Sequence, residues 1–416
     1  MTLLTGLRVL ELAQNAAVPM CGRLLAGLGA DVVKVEPPDG DAMRHLGQLA
    51  PNESRAFATI NPGKRGIAVD LSSPESHEVL DALFAWADVA LVGFKQADLK
   101  RYRVHWEHAR TINPRLVYLA HTAFGPDGPD ADLGGYDVLV QARSGVGYIM
   151  NRSDGSVPLT TRPAVNDFGS GMVSAFAVMV ALRHRDATGE GQRVDTSLLG
   201  TALSLGMPLL TRFPSFDDDH VAEVRAELEA LQVAGASFDD QRELYEERSL
   251  PNQGVYHLYF RHYATGDGLM SVAALSPALF GRFHDATGVA RPQSHSESDP
   301  TFLAAIAEAE AVFRGRGTDE WLAILQEAGV PCAKYVAPYE ALDDVQARVN
   351  GYVAEIEHPA FGPYTTVGMP LRFEAASTVL DVRSPMLGEH SAEVLAEIGL
   401  SHRIDDLAAN GTIRLG

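Results

Sequence analysis

The alternation of apolar and polar positions predicts a βαβ unit at the start of the chain. Residues 7–12 and 31–36 are short runs rich in Leu and Val, as expected for buried strands. Residues 19–28 carry apolar positions at helical spacing, with Pro19 near the start and Gly29 after the end. The same signals then alternate: strands at 67–71, 88–92 and 116–120, and a helix at 73–86. This alternation predicts an α/β fold with an open, Rossmann-like parallel sheet.

The pattern changes beyond residue 210. The stretch 211–252 is acidic with apolar positions on one helical face, which predicts linker helices. Two strand-like segments, 255–264 and 269–273, flank a Gly-Asp-Gly turn and predict a β-hairpin. Apolar periodicity then predicts helices at 277–286, 301–313, 319–328 and 391–400, and a strand at 330–336. We therefore expect a large domain starting with 1–210, linker helices at 211–252, a smaller α+β domain at 253–329, and a return to the large domain at 330–416.

The predicted sheet does not carry the signature of a nicotinamide-binding fold. Glu36 ends the second strand, where dinucleotide folds place a ribose-binding acid. However, the first turn, residues 13–19, reads AQNAAVP and lacks the G-x-G-x-x-G fingerprint. The architecture is therefore expected without NAD.

Composition narrows the classes of partner. The 416 residues include 54 acidic and 34 basic side chains, for a formal net charge of −20. This charge argues against nucleic acid and anionic membranes as partners. The two cysteines, Cys21 and Cys332, cannot form a disulfide framework, and no metal-ligand spacing is present, so we predict no metal. The first residues lack the features of a signal peptide, which predicts a soluble cytoplasmic protein.

One carboxylate stands out in the middle of the chain. Asp167 lies in an otherwise uncharged run where a loop becomes the apolar segment 172–182, which is too short to span a bilayer. The small residues Gly169, Ser170 and Gly171 follow it, so the carboxylate lies beside backbone N–H groups that can hold negative charge. Asp is also a favoured helix N-cap, and a purely structural role stays open.

A set of short motifs places Asp167 in a wider context. In chain order they are 29–38 (GADVVKVEPP), 61–65 (NPGKR), 135–137 (GYD) with 141–142 (QA), Asp167 with Gly171, 188–192 (TGEGQ), 329–331 (GVP) and 387–390 (LGEH). The ordered set resembles the class III CoA-transferases, whose superfamily also contains α-methylacyl-CoA racemase. The stretches 211–252 and 289–316 have no obvious counterparts.

The resemblance implies an architecture and a ligand. The large Rossmann-like domain would be built from both ends of the chain, with the smaller domain in the middle. Two ring-shaped chains would interlock into a homodimer. The substrates would be an acyl-CoA and a carboxylic acid, with the coenzyme A thioester arriving as substrate and no cofactor bound permanently.

The resemblance also implies CoA-binding residues. Lys64 and Arg65 would approach the adenine-nucleotide end, and Arg101 matches a family arginine near the phosphates. Ala16 and Val18, in the turn after the first strand, are further candidates for CoA binding.

Two positions depart from the family pattern. Pro37 stands where several members have a CoA-contacting arginine, so that contact is not expected here. Ala16 occupies the position of a functional glutamine in the formyl-CoA enzyme, which argues against that substrate.

In the transferases the residue that matches Asp167 is the nucleophile. Its carboxylate attacks the acyl thioester, giving a mixed anhydride and CoA thiolate, and the thiolate then forms an aspartyl-CoA thioester. The acceptor acid repeats these steps in reverse. The backbone amides of Gly169, Ser170 and Gly171 are candidates for stabilising the oxyanions.

Two alternatives remain open. In the racemase, the matching aspartate exchanges the α-proton with a histidine partner, whereas this chain has Tyr136 before Asp137. An ordinary tyrosine titrates near pH 10 and is a poor base near neutrality, which favours transfer. Asp137 either orients Tyr136 or bonds to the local backbone. The other alternative is a catalytically silent CoA-binding protein on the same fold.

Overall fold

The structure is a computed structural model that describes residues 2–155, 157–160, 162–249, 254–296, 298–379 and 382–416. The chain divides into two compact units. The large unit comprises Met1–Ser215 and Asp344–Gly416, and the small unit comprises Phe216–Asp343. The predicted boundary at 252 and 253 lies outside the described residues.

The elements are numbered in chain order. The strands are β1 Arg8–Leu12, β2 Asp31–Glu36, β3 Gln48–Ala50, β4 Glu53–Ser54, β5 Arg65–Val69, β6 Val89–Val92, β7 Val117–Thr122, β8 Gln192–Ser197, β9 Phe260–Ala264, β10 Leu269–Ala273, β11 Cys332–Lys334, β12 Val353–His358, β13 Gly362–Val367 and β14 Ile413–Arg414. The helices are α1 Ala17–Gly27, α2 Ala42–His45, α3 Arg55–Ile60, α4 Ser76–Trp86, α5 Gln96–Arg101, α6 Trp106–Ile112, α7 Asp137–Ser144, α8 Val146–Met150, α9 Val165–Thr188, α10 Leu198–Leu205, α11 Met207–Leu210, α12 Pro214–Val233, α13 Phe238–Ser249, α14 Gly254–Tyr259, α15 Pro277–Thr287, α16 Pro300–Arg314, α17 Thr318–Glu327, α18 Val345–Val349, α19 Ser391–Glu397 and α20 Ile404–Ala409. Short 3-10 turns lie at Glu340–Leu342 and Ser401–Arg403.

The large unit is built on a seven-stranded sheet with the order β14-β5-β2-β1-β6-β7-β8. All neighbours in it are parallel except β14, which pairs with β5 in the antiparallel sense. The predicted open parallel sheet is therefore confirmed. Strand β8 was not predicted because its sequence, QRVDTS, is polar and half-buried, without the apolar run of the central strands.

Neighbouring residues of a strand point to opposite sides of the sheet, and here both sides carry apolar residues. Helices therefore cover both faces. Leu10 faces a core formed with α4, α6, α19 and α20. Val9 faces a second core with Cys21 of α1 and Val178 of α9. Helix α9 is longer than its most apolar segment suggested, since it begins at Val165 and ends at Thr188.

Within the described ranges, α9 is the one helix long and apolar enough to cross a membrane, and 44% of its most apolar window is buried. The core helix of a soluble protein also meets that description. Val178, Ala181 and Leu182 on α9 pack into the core beneath the sheet. The opposite side of the helix exposes Met172 and Phe176.

The small unit has its own antiparallel sheet, in the order β11-β10-β9. The β9–β10 pair confirms the predicted hairpin, although residues 254–259 are helical and not part of its first strand. Strand β11 pairs with β10, so residues 330–343 belong to the small unit and not to the returning part of the large domain. The boundary expected at residue 330 is therefore wrong. A core around Phe283, Phe313 and Trp321 holds this unit together.

A buried ion network crosses the large unit. Lys34 Nζ lies 3.2 Å from Glu11 Oε1 and 2.8 Å from Asp41 Oδ2. Lys64 Nζ donates to the other oxygen of Glu11, at 2.8 Å, and to Asn61 Oδ1. The four charged side chains are fully buried. They join β1 and β2 to the turns before α2 and β5.

Breaking this network should destabilise the fold. Lys34→Met leaves Asp41 buried without its cation, and we expect a loss of about 3–5 kcal/mol in the free energy of unfolding. Urea denaturation followed by circular dichroism measures the loss. Arg8→Ala is the control, because the Arg8–Asp88 pair is partly exposed and should contribute about 1 kcal/mol or less. Equal stabilities of the two variants would contradict the prediction.

Candidate active site

A cleft of the large unit that contains Asp167, named the main cleft for that reason, lies at the carboxyl ends of the central strands. Its volume is about 320 Å³. Residues 13–18 after β1, 93–95 after β6 and 121–123 at the end of β7 form its walls, with 131–139 and Asp167 closing one side. Strand β1 lies between β2 and β6, so the chain turns in opposite directions on its two sides. Ligands of open α/β sheets bind at such a switch point.

Asp167 occupies the first turn of α9, where it lines this cleft. Ala164 takes the N-cap position, so the interpretation of Asp167 as the cap residue is wrong. The carboxylate of Asp167 has no hydrogen bond or ion pair with any described residue. Burial, and then the negative charge of Asp137, raises the pKa of Asp167 to about 6. A carboxylate without a protein partner is available to a ligand.

Asp137 holds the start of α7 against the start of α9. Its Oδ1 accepts from Asn166 Nδ2 at 2.7 Å, and its Oδ2 accepts from Gln141 Nε2 at 2.9 Å. Asp137 was expected to orient Tyr136 or to bond to the local backbone. It does neither, because both carboxylate oxygens accept hydrogen bonds from side-chain amides. Tyr136 lines the cleft and its side chain is 65% exposed.

The residues after Asp167 serve the packing of α9. Ser170 Oγ donates to Thr201 Oγ1 at 3.0 Å. A Cβ atom on Gly171 would lie 2.5 Å from Met20 Cβ, so glycine permits the close approach of α9 to α1. The amides of Gly169, Ser170 and Gly171 lie beyond the first turn and bond within the helix, which corrects their expected role as oxyanion donors. The amides free of helical bonds belong to residues 165–167.

Two of the predicted CoA-binding cations do not face the cleft. Lys64 is buried against Glu11, as described above. Arg65 begins β5, at the amino edge of the sheet, and pairs with Asp31 at 2.6 Å and with Glu397 at 2.7 Å. Both expectations are corrected, because carboxylates of the protein itself occupy these side chains.

Ala16 and Val18 do line the main cleft. A second cleft of about 150 Å³ lies beside it at the ends of β2 and β5, and both clefts are lined by Ala13, Gln14 and Phe94.

Cations border the second cleft. Arg101 lies with its guanidinium carbon 5.3 Å from the ring centre of Tyr102, which lines the cleft. Arg414 Nη1 donates to the carbonyl oxygen of Pro38 in the same wall. Sequence reasoning missed Arg414, because β14 joins the sheet from the far end of the chain.

Two polar residues of the main cleft were also missed. Lys95 follows β6 and is exposed along the cleft wall. His121 lies near the end of β7 and is buried, and burial lowers its pKa to about 4. Both stand at the carboxyl end of a predicted strand, which is the signal that could have found them.

The residues present do not favour a dinucleotide or a metal. Arg44 binds both oxygens of Glu36, at 2.6 and 2.9 Å, so this acid is not free to bind a ribose. In the described part of the chain, no three His, Cys, Asp or Glu side chains converge to hold a metal ion.

Comparison with known proteins agrees with the ordered motifs. The family described as CoA-transferase family III matches residues 4–391. The chain belongs to this family. A formyl-CoA:oxalate CoA-transferase from Rhodopseudomonas palustris (strain BisA53) is 30% identical over 424 residues, covering 99% of this chain and 97% of the relative. An Escherichia coli O6:H1 enzyme of the same name is 29% identical, covering 98% of both chains.

Solved structures share the fold of this family III chain. A CAIB/BAIF family protein from Brucella suis is 27% identical, with a TM-score of 0.73 and coverage of 95% of this chain and 99% of its own. The Mycobacterium tuberculosis protein Rv3272 is 25% identical, with a TM-score of 0.74 and coverage of 94% and 99%.

The charge of Asp137 should be visible in the titration of Asp167. Replacing Asp137 with Asn removes the neighbouring negative charge, so the pKa of Asp167 should fall from about 6. It should stay above the ordinary value, because burial remains. The carboxylate form of Asp167 then persists to lower pH, and ¹³C NMR of the carboxyl carbon measures the midpoint.

The control is Glu190→Gln, which removes an exposed carboxylate beyond the other end of α9. It should leave the titration of Asp167 unchanged. A midpoint that does not move in Asp137→Asn would show that burial alone raises the pKa.

Proposed function

We propose that this family III protein transfers CoA from an acyl thioester to a carboxylic acid, with Asp167 as the covalent nucleophile. The observation that carries this proposal is the position of Asp167. Its carboxylate has no partner among the described residues and lies in a cleft at the switch point of a parallel sheet. Structural carboxylates of the same unit, such as Asp137, are instead satisfied by protein donors.

The chemistry proceeds through two covalent intermediates. A carboxylate oxygen of Asp167 attacks the acyl carbon, the C–S bond breaks, and CoA leaves as thiolate while an acyl-aspartyl anhydride forms. The thiolate attacks the aspartyl carbon and releases the first acid, giving aspartyl-CoA. The acceptor carboxylate then attacks this thioester, and the sequence reverses. Because each step exchanges one acyl derivative for another, the thioester energy is kept and no water is consumed.

The surroundings of Asp167 suit a nucleophile. Burial removes water from the carboxylate, yet with a pKa of about 6 it is ionised near neutral pH. The free amides of residues 165–167 and the positive end of the α9 dipole favour negative charge at this point. The same amides and helix dipole would stabilise the Asp167 carboxylate when it is released from the acyl-aspartyl anhydride.

We propose that the two neighbouring clefts hold different parts of an extended thioester. We place the nucleotide in the second cleft, where Arg101 and Arg414 supply positive charge, and the acyl end in the main cleft beside Asp167. Phosphates require such local cations on a protein with a net charge of −20. Lys95 would then serve a carboxylate of the acceptor acid. We propose that the reaction takes place in the cytoplasm, as the sequence predicts.

The relatives named above are formyl-CoA:oxalate CoA-transferases. The family resemblance implies a glutamine in the formyl-CoA enzyme at the position of Ala16, which lines the main cleft here. We therefore propose a carboxylic acid acceptor without adopting their substrates. Tyr136 stands at the position of the racemase histidine and is mostly exposed. A tyrosine at this position is a poor base near neutral pH, which favours CoA transfer over proton exchange at the α-carbon.

One experiment distinguishes a CoA-transferase from a racemase and from a silent CoA-binding protein. Wild-type protein and a panel of acyl-CoAs are mixed in D₂O and quenched with hydroxylamine, and mass spectrometry reads the Asp167 peptide and the recovered thioester. A transferase gives a hydroxamate on Asp167 and no deuterium at the α-carbon. Asp167→Asn should abolish the hydroxamate and lower transfer by more than about 10³-fold. The control variant Glu190→Gln should retain both the hydroxamate on Asp167 and the transfer activity.

Other results would contradict the proposal. Deuterium at the α-carbon with an unmodified Asp167 would show a racemase. Acyl-CoA binding, measured by calorimetry, without label or hydroxamate would show a silent binding protein.

The proposed homodimer is supported by the exposed side of α9. Phe176 is 71% exposed and Met172 is 50% exposed, and the apolar surface continues onto α10 and α11 through Leu205 and Met207. A contiguous apolar surface of this kind marks an interface. We propose that a second copy of the chain covers it.

Light scattering after size exclusion tests this assembly. The wild type should elute with twice the chain mass, and Phe176→Glu should weaken the dimer by placing a charge in the interface. Leu303→Glu changes an equally apolar residue that is 52% exposed on α16 and should leave the mass unchanged. A monomeric wild type would refute the homodimer.

A further inference from the structure

His121 is a buried histidine in the wall of the main cleft. Only 8% of its surface is exposed, and the residue lines the cleft together with Asp167. Its Nδ1 atom lies 3.0 Å from Thr196 Oγ1 on the neighbouring strand β8. Its Nε2 atom is buried and has no hydrogen-bond partner among the residues described. Since buried polar atoms are normally paired, a ligand is the partner to look for.

The hydrogen bonds behind the ring indicate which nitrogen carries the hydrogen. Thr196 Oγ1 also lies 3.0 Å from Ser174 Oγ on α9. Ser174, Thr196 and His121 are therefore connected by two consecutive hydrogen bonds. If Ser174 donates to Thr196 and Thr196 donates to Nδ1, both hydroxyl hydrogens are used. The reverse direction leaves the Ser174 hydrogen without an acceptor in the described ranges. The first direction places the ring hydrogen of His121 on Nε2.

We propose that His121 donates its Nε2 hydrogen to the carbonyl oxygen of the acyl thioester, and to the oxyanion formed when Asp167 attacks. This inference rests on the proposed transferase function, because it concerns the same thioester. The ring keeps its hydrogen throughout, so the bonds formed and broken remain those of the transfer reaction. His121 is then a catalytic residue that touches the reacting oxygen.

Two properties suit His121 to this role. Its lowered pKa keeps the ring uncharged near neutral pH, so it does not pair with the Asp167 carboxylate as a cation would. Its attachment to Thr196 fixes the ring, and a donor fixed in advance stabilises an oxyanion without reorganisation. The helical amides of residues 169–171, which were expected to do this, are already used.

A pair of substitutions separates this role from a structural one. In Asn the side-chain amide matches the Nδ1 position, so His121→Asn keeps the contact to Thr196 and loses the group at Nε2. In Gln the amide reaches the Nε2 position, so His121→Gln keeps a donor for the ligand and loses the contact to Thr196. A merely structural His121 would tolerate Asn better than Gln, and a donor to the thioester gives the opposite order.

The kinetic test measures kcat/KM for the acyl-CoA that traps Asp167 in the wild type. We expect His121→Asn to lower it by about 100-fold, as for loss of an oxyanion donor, and His121→Gln to retain most of it. Thermal melting of both variants checks the fold. Equal activities, or a more active Asn variant, would overturn the inference.

A spectroscopic test does not depend on turnover. Acyl-CoA with a ¹³C-labelled thioester carbonyl is bound to Asp167→Asn protein, in which it is not consumed, and the carbonyl stretch is read by infrared difference spectroscopy. A hydrogen bond to the oxygen lowers the stretching frequency. Adding His121→Asn should raise it again, and adding His121→Gln should not. An identical frequency in all three proteins would refute the contact.

The two proposals fail in different ways. If the transferase proposal is wrong, wild-type protein forms no hydroxamate on Asp167 with any acyl-CoA, and the inference about His121 falls with it. If only the inference is wrong, the hydroxamate forms in the wild type and forms at the same rate in His121→Asn.

Discussion

The reversal of strand order beside β1 determines where this protein can bind a ligand. The chain moves from β1 to β2 and β5 on one side, and later to β6, β7 and β8 on the other. The loops after β1 and β6 therefore separate at the carboxyl edge and leave an open crevice between them. The main cleft is that crevice, and the loop after β1 belongs to both clefts.

Helix α9 brings the carboxylate of Asp167 to this crevice, and its apolar packing explains why the pKa of that group is raised. Val178 and Leu182 hold the helix beneath the sheet, and Gly171 lets its first turns approach α1 closely. The first turn is consequently half-buried, which removes water from Asp167. The buried charge of Asp137 acts in the same direction. Burial and the like charge together raise the pKa of the Asp167 carboxyl.

The architecture could be predicted from the sequence more completely than the details of the candidate site. The central strands and Asp167 were predictable, because apolar runs and an isolated acid in an uncharged stretch are local signals. Strand β8 was not, since its polar sequence is placed by pairing with β7. The amides after Asp167 were misjudged because α9 begins at Val165, earlier than its most apolar segment. His121 escaped notice because its hydrogen-bond partners come from β8 and α9, distant in sequence.

The fate of the basic residues shows why charge along the sequence is a poor guide to a phosphate site in an acidic protein. Lys64 and Arg65 are adjacent in the sequence, yet one neutralises Glu11 inside the sheet and the other neutralises Asp31 and Glu397 at its amino edge. With 20 more acidic than basic residues, nearby carboxylates readily capture a cation. Among the described residues, no carboxylate pairs with Arg101 or Arg414, although Glu36 and Asp70 line the second cleft beside them. Arg101 ends α5 and Arg414 lies in the last strand, so the fold and not the local sequence decides which cations have no partner carboxylate among the described residues.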